Sequence, residues 1–251
     1  MARIAGKSTD LYIDHLQFDT YANSYSYSVD VNLPEVTAFG DAAATFVEGK
    51  ANGTFTMNAF FDGTDNKSDE ITQDALSGTS EILIAPSGLG NSNIVHELTA
   101  NLSNKTIDNP VDGATALNVS GQGTSSLARA INLYTPAQTA LSGTGAVTAS
   151  RVDTGSTSVI GSLSAGTTKI AKLRITEVSG SGTATIKIQD SSSSGSGYGD
   201  YVAFAQINGV GTQAVTTTDA SERYLQINVT QYSGLTNFKC IVTIGVQVSG
   251  E

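Results

Sequence analysis

Few residues in this chain have the types and spacing that chemistry needs. The candidates are two histidines, His15 and His96, one cysteine, Cys240, and the acidic loop Asp62-Gly-Thr-Asp65-Asn-Lys-Ser-Asp69-Glu70. Neither histidine belongs to a Cys, Asp or Glu pattern with the spacing of a zinc site, so both read as structural. The acidic loop carries hard oxygen donors of the kind that hold Ca²⁺. Its spacing is not that of a helix–loop–helix calcium site, however, and Lys67 stands inside it, so it reads as a solvated loop entering a helix capped by Ser68. No Gly-x-Ser-x-Gly elbow or phosphate loop occurs. Gly121-Gln-Gly123 and Gly195-Ser-Gly197 lack the strand–loop–helix context of a nucleotide site. Paired carboxylates for glycoside cleavage would find few acids in the second half. No catalytic, metal or cofactor residue is assigned, and an enzyme is not expected.

Recognition is the other chemistry to weigh. Tyr198 and Tyr201 flank the Ser/Gly loop 191–199, where aromatic rings can stack on sugars. In the plainer reading, one anchors the loop to a sheet edge and the other starts the next strand with Val202 and Phe204.

The elements that would position these groups are strands. Tyr25, Tyr27, Val29 and Val31 alternate with Ser26, Ser28 and Asp30. Phe55, Met57 and Ala59 alternate with Thr54, Thr56 and Asn58. Later, Leu173 and Ile175 alternate with Lys172 and Arg174, Ile186 and Ile188 with Lys187 and Gln189, and Leu225, Ile227 and Val229 with Gln226, Asn228 and Thr230. Phe238, Cys240, Val242, Ile244 and Val246 form the longest set. Period-two alternation puts one face on a core and the other toward solvent or a partner, and many short runs between Gly, Asn and Ser turns predict sandwiches or barrels. One short helix is expected, starting at Ser68 and stopping near Gly78, with Ile71 and Ala75 on its packed face. The fold class is all-β with one short helix. Cys240 sits in an apolar strand and reads as a buried thiol.

Charge divides the chain. Residues 1–127 hold 5 Lys/Arg against 16 Asp/Glu and residues 128–251 hold 8 against 7, within a net charge of -10. The step falls at Gly121-Gln-Gly-Thr-Ser-Ser126, a composition typical of domain junctions. We therefore expect domains at 1–127 and 128–251, with a flexible start to the second around 135–168 that includes a first strand. Nucleic-acid binding is disfavoured, because phosphates need Lys and Arg to displace their counterions. The first twenty residues hold no apolar leader, and no run approaches the ~18 apolar residues of a membrane span, so neither export nor a membrane segment is expected.

The segment Thr37-Ala-Phe39-Gly40-Asp41, followed by Phe46, Gly49, Gly53, Phe60 and Asp62, resembles the major tail (tail-tube) proteins of long-tailed bacteriophages. The helix that follows, Pro86-Ser-Gly88, and Pro110-Val-Asp-Gly113 before a last strand extend the resemblance over the first half. The second half, from Ile186-Lys-Ile-Gln-Asp-Ser191 through Asp200-Tyr-Val-Ala-Phe204 to Arg223-Tyr-Leu-Gln-Ile227, resembles a jelly-roll-like sandwich appended to some tail proteins. Its loop is rich in Ser where many relatives carry an aromatic. The resemblance implies a tail-tube-type β-sandwich or split barrel followed by a second β-sandwich. It further implies a virion protein, made in the host cytoplasm, whose hexameric rings stack into a tube beside other tail proteins. The acidic half would line a conduit that DNA passes without binding, and the C-terminal domain would decorate the outside. Phe39, Gly40, Asp41 and Phe46 are the expected subunit-interface residues; the competing reading is that the two phenylalanines fill their own domain's core. A capsid-decoration or carbohydrate-binding adhesion module is the alternative function, with Tyr198 and Tyr201 as its contact residues.

Overall fold

The computed structural model describes residues 8–40, 42–47, 51–124, 127–136, 141–155 and 166–247. In chain order the elements are β1 (Asp10–Ile13), β2 (Leu16–Gln17), β3 (Ala22–Val31), β4 (Ala51–Phe60), α1 (Ser68–Ala75), β5 (Ser80–Ala85), β6 (Ile94–Asp108), β7 (Ala116–Gly123), β8 (Ala128–Tyr134), β9 (Gly145–Asp153), β10 (Lys169–Ser191), β11 (Gly199–Ala203), β12 (Gly211–Thr217) and β13 (Tyr224–Gln247). The protein is all-β with one short helix, as its alternating sequence predicts.

Two compact units form. Among the described residues, the first gathers those of 8–17, 83–97 and 128–247, and the second those of 18–82 and 98–124. This division does not follow a single cut at residue 127. β6 is the reason: Ile94–Glu97 pair with β8, while Ala100–Asp108 pair with β7. The expected junction is also not a linker at its start, because Gly121 and Gly123 lie inside β7. A Cβ on Gly121 would stand 2.8 Å from the carbonyl oxygen of Asn101, so glycine there permits close strand approach. Ser125 and Ser126 lie outside the described residues.

The first unit is organised by β10 and β13, strands of 23 and 24 residues paired along their length. Near Lys169–Ile175 the neighbours are β12 and β8; near Thr185–Ser191 they are β11 and β9. Leu173, Ile175, Ile186, Ile188, Leu225, Ile227, Phe238 and Cys240 share one buried core, as the alternation requires. Burial raises the Cys240 thiol far above its ordinary range, leaving it protonated and inert. Between the two halves the register shifts repeatedly around Gly180, Gly182 and Gly234. Gly180 and Gly234 have positive φ, and a Cβ on Gly182 would lie 1.6 Å from the Ser233 carbonyl oxygen. Of the stretch 135–168 expected to be flexible, residues 145–153 form β9, and 137–140 and 156–165 lie outside the described residues.

The second unit is an antiparallel sheet in the order β3-β4-β7-β6. Phe55, Met57 and Ala59 of β4 and Leu117 and Val119 of β7 are buried, so the predicted apolar face is the core face. α1 packs against β7 with Ile71 and Ala75 buried. Ser68 is not the cap. Lys67 holds that position and makes no side-chain cap bond. Ser68 is the first helical residue and is fully buried; its hydroxyl donates to the Phe60 carbonyl at 2.7 Å and accepts from the Asp62 amide at 2.8 Å. It ties the helix to the end of β4, satisfying two backbone groups that burial would otherwise orphan. Lys105 of β6 adds a second tie, donating to the Asp69 carbonyl at 2.8 Å and pairing with its carboxylate at 2.6 Å.

Candidate functional site

The segment between β3 and β4 leaves the sheet as a hairpin arm. Glu35 bridges Phe46, Val36 donates its amide to the Thr45 carbonyl at 2.8 Å, and Val47 donates to the Pro34 carbonyl at 3.1 Å. The Thr37 hydroxyl accepts from the Thr45 amide at 3.0 Å and donates to the Glu35 carboxylate at 2.6 Å, stiffening the arm's middle. Its apolar side chains are in water: Phe39 is 115 % exposed and Phe46 57 %, with Leu33, Val36 and Val47 at about half or more. The two phenylalanines therefore do not fill the core of their own unit. Gly40 sits in the turn beside Phe39 with nothing near its absent side chain. Asp41 lies outside the described residues.

β3, which leads into this arm, pairs with β4 and with no other described strand. It is ten residues long, carries neither Pro nor Lys, and its only charge is Asp30. Natural edge strands are ordinarily short, charged, bulged or covered, because an open edge recruits another chain. Here the exposed side chains are Asn23, three serines and Asp30, and the register with β4 shifts once, between Ala22 and Ser24; two of the serines are bonded across the ladder, Ser28 to Thr54 at 2.7 Å and Ser24 to Asn58 at 2.9 Å. The stretches 18–82 and 98–127 carry 3 Lys/Arg against 13 Asp/Glu, so the unit with the open edge holds the negative charge.

The two tyrosines of the sugar-binding expectation are both engaged. Arg151 lies over the Tyr198 ring at 5.3 Å, and the Tyr198 hydroxyl and Arg151 guanidinium both donate to the Ser194 carbonyl, at 3.3 Å each. Tyr201 packs on the core of its unit and donates to the Asp219 carbonyl at 3.0 Å; burial pushes its phenol up to about 12. Beside them runs a feature that the sequence reading missed. Arg151 of β9 donates to Gln226 of β13 at 2.9 Å, Gln226 to Gln189 of β10 at 3.2 Å, and Gln189 to Asp200 of β11 at 3.0 Å. Lys187 closes the row on Asp200 at 2.5 Å and holds its carboxyl below the usual range. One hydrogen-bonded line of side chains thus crosses four strands. Only the strand register reveals it.

A second arrangement was equally hidden. Lys172 and Arg174 alternate with Leu173 and fall on the face expected toward solvent or a partner, yet both are buried, together with Glu97. The Arg174 guanidinium meets Glu97 with both terminal nitrogens, Thr243 donates to the same carboxylate at 2.7 Å, and Lys172 stands at 3.8 Å. Arg174 Nε is buried without a hydrogen-bond partner among the described residues.

The remaining candidates assemble nothing. Thr64 hydrogen bonds hold the Asp62 carboxyl below its usual range, as a loop turn would. Among the described residues no group of His, Cys, Asp or Glu could hold a metal ion, and no helix is long and apolar enough to cross a membrane.

No protein-family model and no curated protein matches the chain. Among solved structures, the chain is similar to a chain in the virion of a native gene transfer agent particle (TM-score 0.43, 11% identity, covering 51% of this chain and 98% of that one). It is similar also to the Dit protein of phage SPP1, a hub adsorption apparatus protein of phages infecting Gram-positive bacteria (0.36, 10%, 96% and 99%). A chain of the phage p2 baseplate in its activated conformation with Sr is a third (0.37, 9%, 94% and 97%).

Proposed function

We propose that this chain is a structural subunit of a phage tail, located in the virion after synthesis in the host cytoplasm, whose copies join into rings that stack as a tube beside other tail proteins. The carrying observation is β3 in the acidic unit, a ten-residue strand that pairs only β4 among the described strands. An edge that accepts a neighbouring copy's strand continues the sheet around a ring. The contact is head-to-tail, so it closes only at a fixed copy number, six being what the sequence resemblance implies. A wall carrying 3 cations against 13 acids repels phosphate, so DNA slides past it without adhering. The exposed Phe39 and Phe46 make the arm an interface element in the same reading.

Electron microscopy of the purified full chain over a range of concentration and salt tests this. Rings or tubes are expected; monomers under every condition defeat the reading. A fragment ending at residue 127 is not a fair test, since it strips β6 of its β8 partner.

One observation favours a second reading, in which the first unit binds glycans. Arg151, Gln189, Asp200 and Lys187, tied into one row through the buried Gln226, hold pre-positioned donors and acceptors of the kind that neutral sugars engage. Glycan-array binding that is lost in Gln189→Ala would support it, and an array with no hits would remove it.

A further inference from the structure

Asparagine followed by glycine is a step at which a chain can rewrite its own side chain. Two such steps occur, Asn52-Gly53 and Asn208-Gly209. The reaction needs the glycine amide nitrogen to swing over the asparagine side-chain carbonyl, so it depends on what holds the backbone. The fold holds the two steps very differently. Asn52-Gly53 lies in β4, where Asn52 pairs with Asp30 and Gly53 with Val29 in a ladder that runs unbroken from Ser24 to Val31. Gly53 is buried, and a Cβ there would stand 3.0 Å from the Leu98 side chain, so its nitrogen has no room to leave the ladder.

Asn208-Gly209 belongs to no strand. Ile207 before it is buried and exchanges both backbone hydrogen bonds with Ala184, at 2.8 and 3.0 Å. Gly211 after it opens β12, paired with Ile175. The chain is thus pinned on either side while the reacting pair is left open. Asn208 is exposed, and a Cβ on Gly209 would meet nothing within 4 Å. Among the described residues no hydrogen bond holds the Asn208 side chain or the Gly209 amide. Without a side chain, Gly209 also moves readily between backbone conformations.

We infer that Asn208 is a site of self-modification, converting to aspartate and isoaspartate in the folded protein while Asn52 stays intact. The Gly209 nitrogen, giving up its proton to base, attacks Asn208 Cγ. The N–Cγ bond forms, the Cγ–Nδ2 bond breaks, and Nδ2 leaves with a proton as ammonia, closing a succinimide ring. Water then opens the ring. Cleavage of the new N–Cγ bond leaves aspartate; cleavage of the original peptide bond leaves isoaspartate, its main chain rerouted through Cγ. No electrons change hands, and water is the only other reactant. Either product adds a carboxylate, ionised at neutral pH, to a chain whose net charge is already -10. Isoaspartate also lengthens the connection between the Ala184–Ile207 bridge and β12, which pairs only β10 among the described strands. The conversion runs one way, so its extent records the time since synthesis.

Peptide mapping by mass spectrometry tests this on the full-length protein, aged in mildly alkaline buffer both folded and in denaturant. In the folded protein the peptide holding Asn208 is expected to gain the mass difference between OH and NH2, with isoaspartate seen on electron-transfer fragmentation, while the peptide holding Asn52 is unchanged. In denaturant both peptides should convert. Asn208→Gln and Gly209→Ala should each suppress the change without shifting the melting temperature, since Asn208 is exposed and the Gly209 backbone is not left-handed. An Asn208 peptide that stays unchanged in folded protein, under conditions that convert the denatured chain, would overturn the inference. So would conversion of Asn52 as fast as Asn208 in the folded protein.

Discussion

Glu97 receives both terminal nitrogens of Arg174, at 2.7 and 2.5 Å, where solvent reaches neither side chain. The two residues belong to β6 and β10, and Thr243 of β13 completes the clasp. Taking such charges out of water costs about as much as their attraction returns, so the pair adds little net stability, but its half-removal is severe. Glu97→Gln is expected to cost about 3–5 kcal/mol in denaturant unfolding, and replacing Glu97, Lys172 and Arg174 together by apolar residues of similar size should cost much less. Equal losses from the two designs would mean that the charges themselves stabilise the unit.

The same carboxyl sets an acid limit. Burial pushes the Glu97 pKa up, but Arg174, Lys172 and the bonds from Arg174 and Thr243 outweigh it, leaving the group below its ordinary value. A depressed carboxyl contributes stability that is present above the unfolded pKa of ~4.3 and is lost as pH falls through the folded one. Stability should therefore not respond to this group above pH ~5 and should fall below ~4, and Glu97→Gln should flatten that acid limb.

His15 and His96 act at milder pH. Burial lowers both, and Arg129 lowers His96 further. Folded pKa values below the unfolded ~6.5 mean that the unfolded chain binds protons first, so stability should decline as pH falls from ~7 toward ~5. Melting temperatures across that window, with His15→Gln and His96→Gln as controls, check the slope.

At the bend of the long strand pair, Gly182→Ala would drive its Cβ to 1.6 Å from the Ser233 carbonyl oxygen, a contact that only backbone movement can relieve. A loss of roughly 3 kcal/mol is expected by chemical denaturation. The same change at Gly143, where nothing lies near, should leave stability within about 0.5 kcal/mol.

Phe39→Ser with Phe46→Ser separates interface from core. With both rings exposed, the melting midpoint should stay within the ~0.5 kcal/mol of ordinary surface changes while assembly is lost in sedimentation. Unfolding instead would return the two residues to a core role.

How legible this was in the sequence follows from what each pattern encodes. Period-two alternation at Phe55–Ala59 and at Phe238–Ile244 predicts both strand and buried face, because a single face of a strand must meet the core. The same rule misplaced Lys172 and Arg174, since it cannot tell a solvated outer face from one covered by other strands. Their partner Glu97 lies 77 residues from Arg174, a separation that no local pattern encodes. Ser68 looked like a helix cap because capping residues and first-turn residues share a composition; only its bonds to Phe60 and Asp62 distinguish the roles. The arm was legible as a motif, while its exposure was not, and the row through Gln226 and Gln189 needed a register that sequence does not carry.

The interleaving of the two units also orders events in time. A chain emerging from the ribosome has made every strand of the β3-β4-β7-β6 sheet once residue 123 is out. The start of β6 must then wait for β8, and the Glu97–Thr243 bond closes across 146 residues. Long-range closure of this kind is slow. During synthesis the acidic sheet, with its apolar arm and an edge strand that pairs only β4 among the described strands, is thus made before the rest of its own molecule, and exposed apolar surface and strand edges of that kind are what make incomplete chains prone to aggregate.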